Sequence, residues 1–118
     1  MAHILLVEDD EMIGRMITLR LKMRGHDVGI AVNGKEGVES AMAGSYQIVL
    51  MDMHMPVMDG HEAVRILKDQ GYSAPIVAVT ASAMSQDADR AMRAGCDYVL
   101  NKPIGADFED KIDAILGK

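Results

Sequence analysis

Short apolar runs alternate along the chain with longer segments of helical period. Ile4-Leu5-Leu6-Val7 is apolar throughout and halts at Glu8-Asp9-Asp10. A periodic stretch follows from about Glu11 to Arg24 and closes at Gly25, a residue suited to a left-handed helix cap. Val28 to Val32 alternates and reads as a weaker strand, and Gly34 to Ala43 as a second helix closed by Gly44. Ile48-Val49-Leu50-Met51 is again wholly apolar and again stops at an acid, Asp52. The spacing then predicts a helix from about Gly60 to Asp69, closed by Gly71. Pro75 to Val79 forms a fourth apolar run, ending at Thr80-Ala81-Ser82. A helix over Gln86 to Ala94, closed by Gly95, precedes a fifth run, Tyr98-Val99-Leu100, which ends at Asn101-Lys102-Pro103. The last helix is predicted from about Asp107 to Leu116.

Five repeats of strand then helix result. Strands apolar on both faces belong to parallel sheets covered by helices on both sides. The alternation therefore predicts an open α/β sandwich rather than a barrel, which would need eight such units. Residues 1–118 read as one domain, long enough to bury roughly 65% of the surface of the unfolded chain.

Composition narrows the function classes. Twelve basic against 18 acidic residues give a net charge of −6, which argues against binding a nucleic-acid backbone. One cysteine excludes an internal disulfide and any cysteine-built zinc site. No apolar run approaches the ~18 residues of a membrane span, and no signal-peptide pattern opens the chain, so a cytoplasmic protein is expected. Eleven methionines against four rings (Tyr46, Tyr72, Tyr98 and Phe108) predict a core that is mainly aliphatic and thioether.

Ligands of such sheets sit beyond the carboxyl ends of the strands. Four strand ends there supply Glu8-Asp9-Asp10, Asp52, Thr80 with Ala81, and Lys102 with Pro103. Two carboxylates about 5 Å apart repel by roughly 3 kcal/mol at an effective dielectric of ~20, so a cluster of them needs a cation or a raised pKa. An oxygen-only donor set suits a hard ion, Mg²⁺ (or Mn²⁺) before Ca²⁺ or Zn²⁺. Lys102 and Thr80 offer a charge and a hydroxyl to phosphate oxygens. The glycine signature of a dinucleotide site is missing after the first strand, where Glu8-Asp9-Asp10-Glu11 would repel a bare phosphate. What remains is a carboxylate that is itself phosphorylated, and Asp52, at the end of a buried strand beside the acid cluster, fits best.

With these residues in place the chain resembles the response-regulator receiver domain of two-component signalling, in the CheY-like superfamily. The motifs are Leu6-Val7-Glu8-Asp9-Asp10, Asp52-Met53-His54-Met55-Pro56-Val57-Met58-Asp59-Gly60, Val79-Thr80-Ala81 and Lys102-Pro103. The resemblance implies a flavodoxin-like sheet of order 2-1-3-4-5. It implies Asp52 as phosphoacceptor, with Glu8, Asp9, Asp52 and the His54 backbone carbonyl as metal ligands. Thr80 becomes the switch hydroxyl and Lys102 the phosphate-contacting cation, while His54, Ala81 and Ser82 tune hydrolysis. Asp10 falls to the helix N-cap. Partners are then a histidine kinase or histidine phosphotransfer protein and a downstream protein, with neither nucleic acid nor membrane. The family places an aromatic residue three before the lysine. Here that position is Val99, and Tyr98, one residue earlier, points to the other face of the strand.

Two other readings compete. A Mg²⁺-dependent phosphatase using Asp52 would need a second acid two residues on, where His54 stands, and a lid over its substrate. A vestigial interaction module would not need the full set of acids, Thr80 and Lys102. The first helix adds a surface question. Ile13, Ile17 and Leu21 share one face, and Met12, Met16, Leu19 and Met23 form a second stripe about 100° around. That stripe either docks a partner helix carrying a phosphohistidine or lies buried under neighbouring loops. Met53, Met55 and Met58 either cover the site or extend the same surface. Cys96 reads as a small buried hydrophobe, and His3, His26 and His61 have no metal-binding spacing.

Overall fold

The computed structural model describes residues 2–53, 55, 57–80, 86–102 and 105–117. Five strands and five helices alternate: β1 (His3–Val7), α1 (Glu11–Met23), β2 (Asp27–Ala31), α2 (Gly34–Ala43), β3 (Ile48–Asp52), α3 (Gly60–Asp69), β4 (Ile76–Thr80), α4 (Gln86–Ala94), β5 (Tyr98–Asn101) and α5 (Phe108–Leu116). All strand pairs are parallel, in the order β2-β1-β3-β4-β5. Boundaries differ from the sequence expectation by a residue or so. The second strand starts at Asp27 because the ladder runs from His3↔Asp27 to Val7↔Ala31, leaving Val32 to turn into the next helix.

The wholly apolar strands β3 and β4 are buried at every position. They divide the core into two layers. Leu5, Val7, Val49, Met51, Ile76 and Ala78 point to the side where Ala41, Val64, Leu67 and Ala91 bring in α2, α3 and α4. Ile4, Leu6, Ile48, Leu50, Val77 and Val79 point to Ile17 and Leu21 of α1 and Phe108, Ile112 and Ile115 of α5. The core is more purely aliphatic than the composition predicts. Among the described methionines only Met51 and Met53 are buried, and of the four tyrosine and phenylalanine rings only Phe108 is buried. Branched aliphatics and alanines fill the strand–helix layers, leaving methionine for surfaces and loops.

Helix ends follow the local sequence. Asp10, Asn33 and Asp59 each accept a hydrogen bond from the backbone N–H three residues on, at 3.0, 2.9 and 2.9 Å. Each cap is worth roughly 1 kcal/mol. Gly25, Gly71 and Gly95 close their helices at φ of 86°, 77° and 122°, open to glycine at no steric cost. Gly44 does not: its φ is −107°, and its glycine makes room for the Tyr46 ring, which a Cβ would meet at 2.7 Å.

α1 and α5 are joined by a polar strap. Arg20 pairs with Glu109 and donates to the Gly105 carbonyl at 2.6 Å; Arg24 reaches Asp110 at 3.0 Å and Asp113 at 2.8 Å. Buried His26 accepts the Ala2 N–H at Nδ1 (3.1 Å), which leaves Nε2 to donate to Asp113 at 2.8 Å.

Candidate active site

Register brings the predicted residues to one edge. Val7 pairs with Met51, so Glu8 stands level with Asp52. Asp52 pairs with Val79 and Thr80 with Asn101, so Lys102 lies one step past the rim. Sheet order reverses around β1, and the crevice between its end and that of β3 is where this architecture binds ligands.

The loops are held tightly there. Glu8 donates its backbone N–H to Ala31 at 2.9 Å, and Lys102 donates its own to Thr80 at 2.8 Å. Gly60 folds the loop after β3 back over the strand: a Cβ there would press on the Asp52 carbonyl and lie 2.8 Å from Met53 Cα. Gly34, at the start of α2, donates to the Met58 carbonyl at 3.0 Å and leaves no room for a side chain. Between these two anchors Val57 is held at φ 71°, the one non-glycine residue at positive φ among those described. A β-branched residue there is strained backbone in the loop that follows Asp52.

Carboxylate oxygens of Glu8, Asp9 and Asp52 lie within 4.8 Å of one another. Glu8 and Asp52 are buried and Asp9 is exposed. Lys102 Nζ bridges the buried pair, 3.0 Å from Glu8 and 3.3 Å from Asp52. Burial pushes the Glu8 carboxyl up to about 7; Lys102 opposes the rise and Asp52 reinforces it. Burial alone would lower the Lys102 ammonium, but the contacts with Glu8 and Asp52 hold it above its ordinary value. One ammonium therefore faces three carboxyl groups, and one of these keeps its proton near neutrality. A hard divalent cation fits this all-oxygen donor set and would displace that proton. A cavity of about 420 Å³ lies beside the cluster on the α1/β2 side, lined by Glu8, Asp9, Asp10, Arg15, Ile30 and Val32 among others, with Asp52 and Lys102 outside its lining.

Thr80 is fully buried at the end of β4. Val99 packs into the α2–α4 layer and Tyr98 into the α1/α5 layer, so the aromatic ring lies on the opposite face of β5 from Val99. Met53 is buried, and Met55 and Met58 pack on the same layer; the three cover the strand end rather than extend a surface. Cys96 is buried, its thiol pushed up to about 12 by burial, as befits a small hydrophobe. His54, Ala81, Ser82 and Pro103 lie outside the described residues. Sequence reasoning missed Gly34 and Gly60 as close-approach positions, and Asn33 and Asp59 as caps. The caps were signalled by Asn33-x-x-Glu36 and Asp59-x-x-Glu62.

The α1 stripe is open to solvent: Met12 is 81% exposed, Met16 42%, Leu19 61% and Met23 78%. Burial under neighbouring loops, one of the two expectations for it, is thereby excluded.

Comparison with known proteins agrees with this architecture. The response regulator receiver domain model matches residues 4–114. The chain belongs to that family, the receiver domains of two-component signalling. It is 40% identical over 123 residues to a rice two-component response regulator (Oryza sativa subsp. japonica), covering all of this chain and 94% of that protein. It is 42% identical to part of a hybrid signal transduction histidine kinase from Dictyostelium discoideum, covering 86% of this chain but 3% of the kinase. Among solved structures, it is similar to the receiver domain of a Pseudomonas aeruginosa sensor histidine kinase, solved with a magnesium ion in its active-site cleft. That likeness has a TM-score of 0.91 and 32% identity, and covers 99% of this chain and 98% of the other. No helix among the described residues is long and apolar enough to cross a membrane.

Proposed function

We propose that Asp52 takes a phosphoryl group from a phosphohistidine of a histidine kinase or phosphotransfer protein, and that the phosphorylated chain then changes its hold on a downstream protein. The observation that carries this reading is the bridge of Lys102 between Glu8 and Asp52 at the rim of β3. It fixes a nucleophilic carboxylate beside a cation suited to a phosphate oxygen. An Asp52 oxygen attacks phosphorus, the P–N bond breaks, and its electron pair leaves with the imidazole.

Glu8, Asp9, Asp52 and the His54 backbone carbonyl would hold the ion, Mg²⁺ or Mn²⁺. When bound, it supplies charge neutralisation for the phosphoryl oxygens. Lys102 keeps its charge for another phosphate oxygen, and the buried Thr80 hydroxyl is the donor that engages the phosphorylated state. That engagement biases the chain between two conformations. His54, Ala81 and Ser82 set the rate of slow self-hydrolysis, the only turnover this reading requires.

The kinase-side partner docks on Met12, Met16, Leu19 and Met23. The stripe is exposed and apolar, and it begins two residues beyond the Asp10 cap, next to the acid cluster. A helix laid along it brings its histidine to Asp52.

The test is intact mass after incubation with acetyl phosphate and Mg²⁺. A gain of about 80 Da, for one phosphoryl group, is expected for the wild type and is absent from Asp52→Asn and from samples with chelator. An equal gain in Asp52→Asn would overturn the assignment.

A further inference from the structure

The docking stripe is built mainly from thioethers, and its exposure sets it apart from the sulfur chemistry of the active site. Met12 and Met23 are about four-fifths exposed and Met16 about two-fifths, whereas Met51 and Met53, flanking Asp52, are fully buried. The three exposed sulfurs fall at i, i+4 and i+11 of one helix, with Leu19 between them, on a ridge roughly 16 Å long. Leucine would serve an apolar ridge equally well for packing. Methionine differs in one chemical respect: its sulfur accepts an oxygen atom under conditions that leave hydrocarbon side chains untouched.

We propose that Met12, Met16 and Met23 form an oxidant-sensitive modification site, at which a hydroperoxide switches off partner docking while leaving the phosphoacceptor chemistry of Asp52 in place. The inference rests on the docking reading of the α1 stripe given above. The sulfur lone pair attacks the distal peroxide oxygen and the O–O bond breaks. The sulfur is oxidised by two electrons to the sulfoxide as the peroxide is reduced to water or an alcohol. The product is a polar, chiral group with a strong acceptor oxygen. Three of them on one face convert an apolar ridge into one that must stay hydrated, which opposes burial against a partner helix. Met51 and Met53 have no solvent-facing surface, so the strand end that carries Asp52 keeps its packing. Methionine sulfoxide reductases reverse the change.

The experiment treats the full chain with hydrogen peroxide, removes the oxidant, and maps sulfoxides by peptide mass spectrometry. Two rates follow: phosphorylation by acetyl phosphate, and transfer from a phosphorylated histidine phosphotransfer protein able to phosphorylate the untreated chain. Met12 and Met23 are expected to oxidise first, then Met16 together with Met42 and Met92, which lie off the stripe at 46% and 49% exposure and stay in place in the leucine variant, and Met51 and Met53 last. The ratio of protein-driven to acetyl-phosphate-driven rate is expected to fall at least tenfold and to recover on reduction. In a variant carrying Met12→Leu, Met16→Leu and Met23→Leu, peroxide is expected to leave that ratio unmoved.

An unchanged ratio with the stripe fully oxidised overturns the proposal, as does equal loss in the leucine variant or oxidation of Met51 and Met53 at the same rate. The reduced Met12→Lys/Met23→Lys variant separates the two ideas. A normal ratio there removes the docking reading itself. A lowered ratio there, beside normal transfer by the oxidised wild type, keeps docking and removes the oxidation site.

Discussion

Replacing Glu8 with Gln changes how the stability of the metal-free protein depends on pH. Burial, opposed by Lys102 and reinforced by Asp52, raises the Glu8 carboxyl from 4.5 to about 7. Across that window the native state keeps a proton that the unfolded chain has released. Stability therefore falls as pH rises from about 4.5 to about 7 and levels off above it. At about 1.4 kcal/mol per pKa unit, this group removes about 3 kcal/mol between pH 4 and pH 8. Gln stands in for the protonated carboxyl and does not titrate. Glu8→Gln is thus expected to match the wild type near pH 4 and to exceed it by about 3 kcal/mol at pH 8, on the order of 10 °C in melting temperature for a chain of this size. Urea unfolding of both proteins in chelator from pH 4 to pH 8 measures the difference, in which the titration of remote groups cancels. A gap that is flat with pH, or that widens toward acid, would show that Glu8 does not hold its proton in the native state.

An ion held by Glu8 works against that gap. Mg²⁺ is expected to stabilise the wild type more than Glu8→Gln and so to narrow the difference in the same unfolding assay. At ten times its Kd, Mg²⁺ adds about 1.4 kcal/mol to the wild type, and its affinity falls toward tenfold per pH unit below pH 7, as binding must displace the Glu8 proton; calorimetric titration at pH 6 and pH 8 measures this. Val57→Gly relieves a β-branched residue at φ 71° that is 79% exposed, and is expected to raise the urea midpoint by the equivalent of about 1 kcal/mol; a lower midpoint counts against strain there. Gly60→Ala forces a Cβ against the backbone of Asp52 and Met53. It is expected to cost about 2–3 kcal/mol in unfolding and to slow acetyl phosphate labelling.

The sheet is legible because its central strands are uninterrupted apolar runs, and the polar residues at or just past the strand ends make up the candidate site: Glu8 after β1, Asp52 at the end of β3, Thr80 at the end of β4, Lys102 after β5. Parallel register then carries them to one edge. The fate of the α1 stripe was not legible, because it depends on how many helices share a layer. Only α1 and α5 lie on that side of the sheet, so the outer arc of α1 has α5 as its one helical neighbour and stays open. The left-handed backbone at Val57 was hidden as well. Nothing in Met-Pro-Val-Met-Asp-Gly announces positive φ at a valine, and the conformation is imposed from outside by Gly34 bonded to Met58 and Gly60 packed on Asp52. The raised Glu8 carboxyl belongs to the same class. A cluster of acids is visible in sequence, but which of them is buried against Lys102 is decided by the fold.

The proposed function stands on Asp52 itself carrying the phosphoryl group. Borohydride reduces an aspartyl phosphate to homoserine, so treating the acetyl phosphate- and Mg²⁺-labelled chain with it marks the modified residue for peptide sequencing by mass spectrometry. Homoserine at position 52, and its absence when Mg²⁺ is chelated, is the predicted result. Homoserine at Asp9 or Asp10, or a stable phosphate on a serine or threonine with Asp52 intact, would contradict the account.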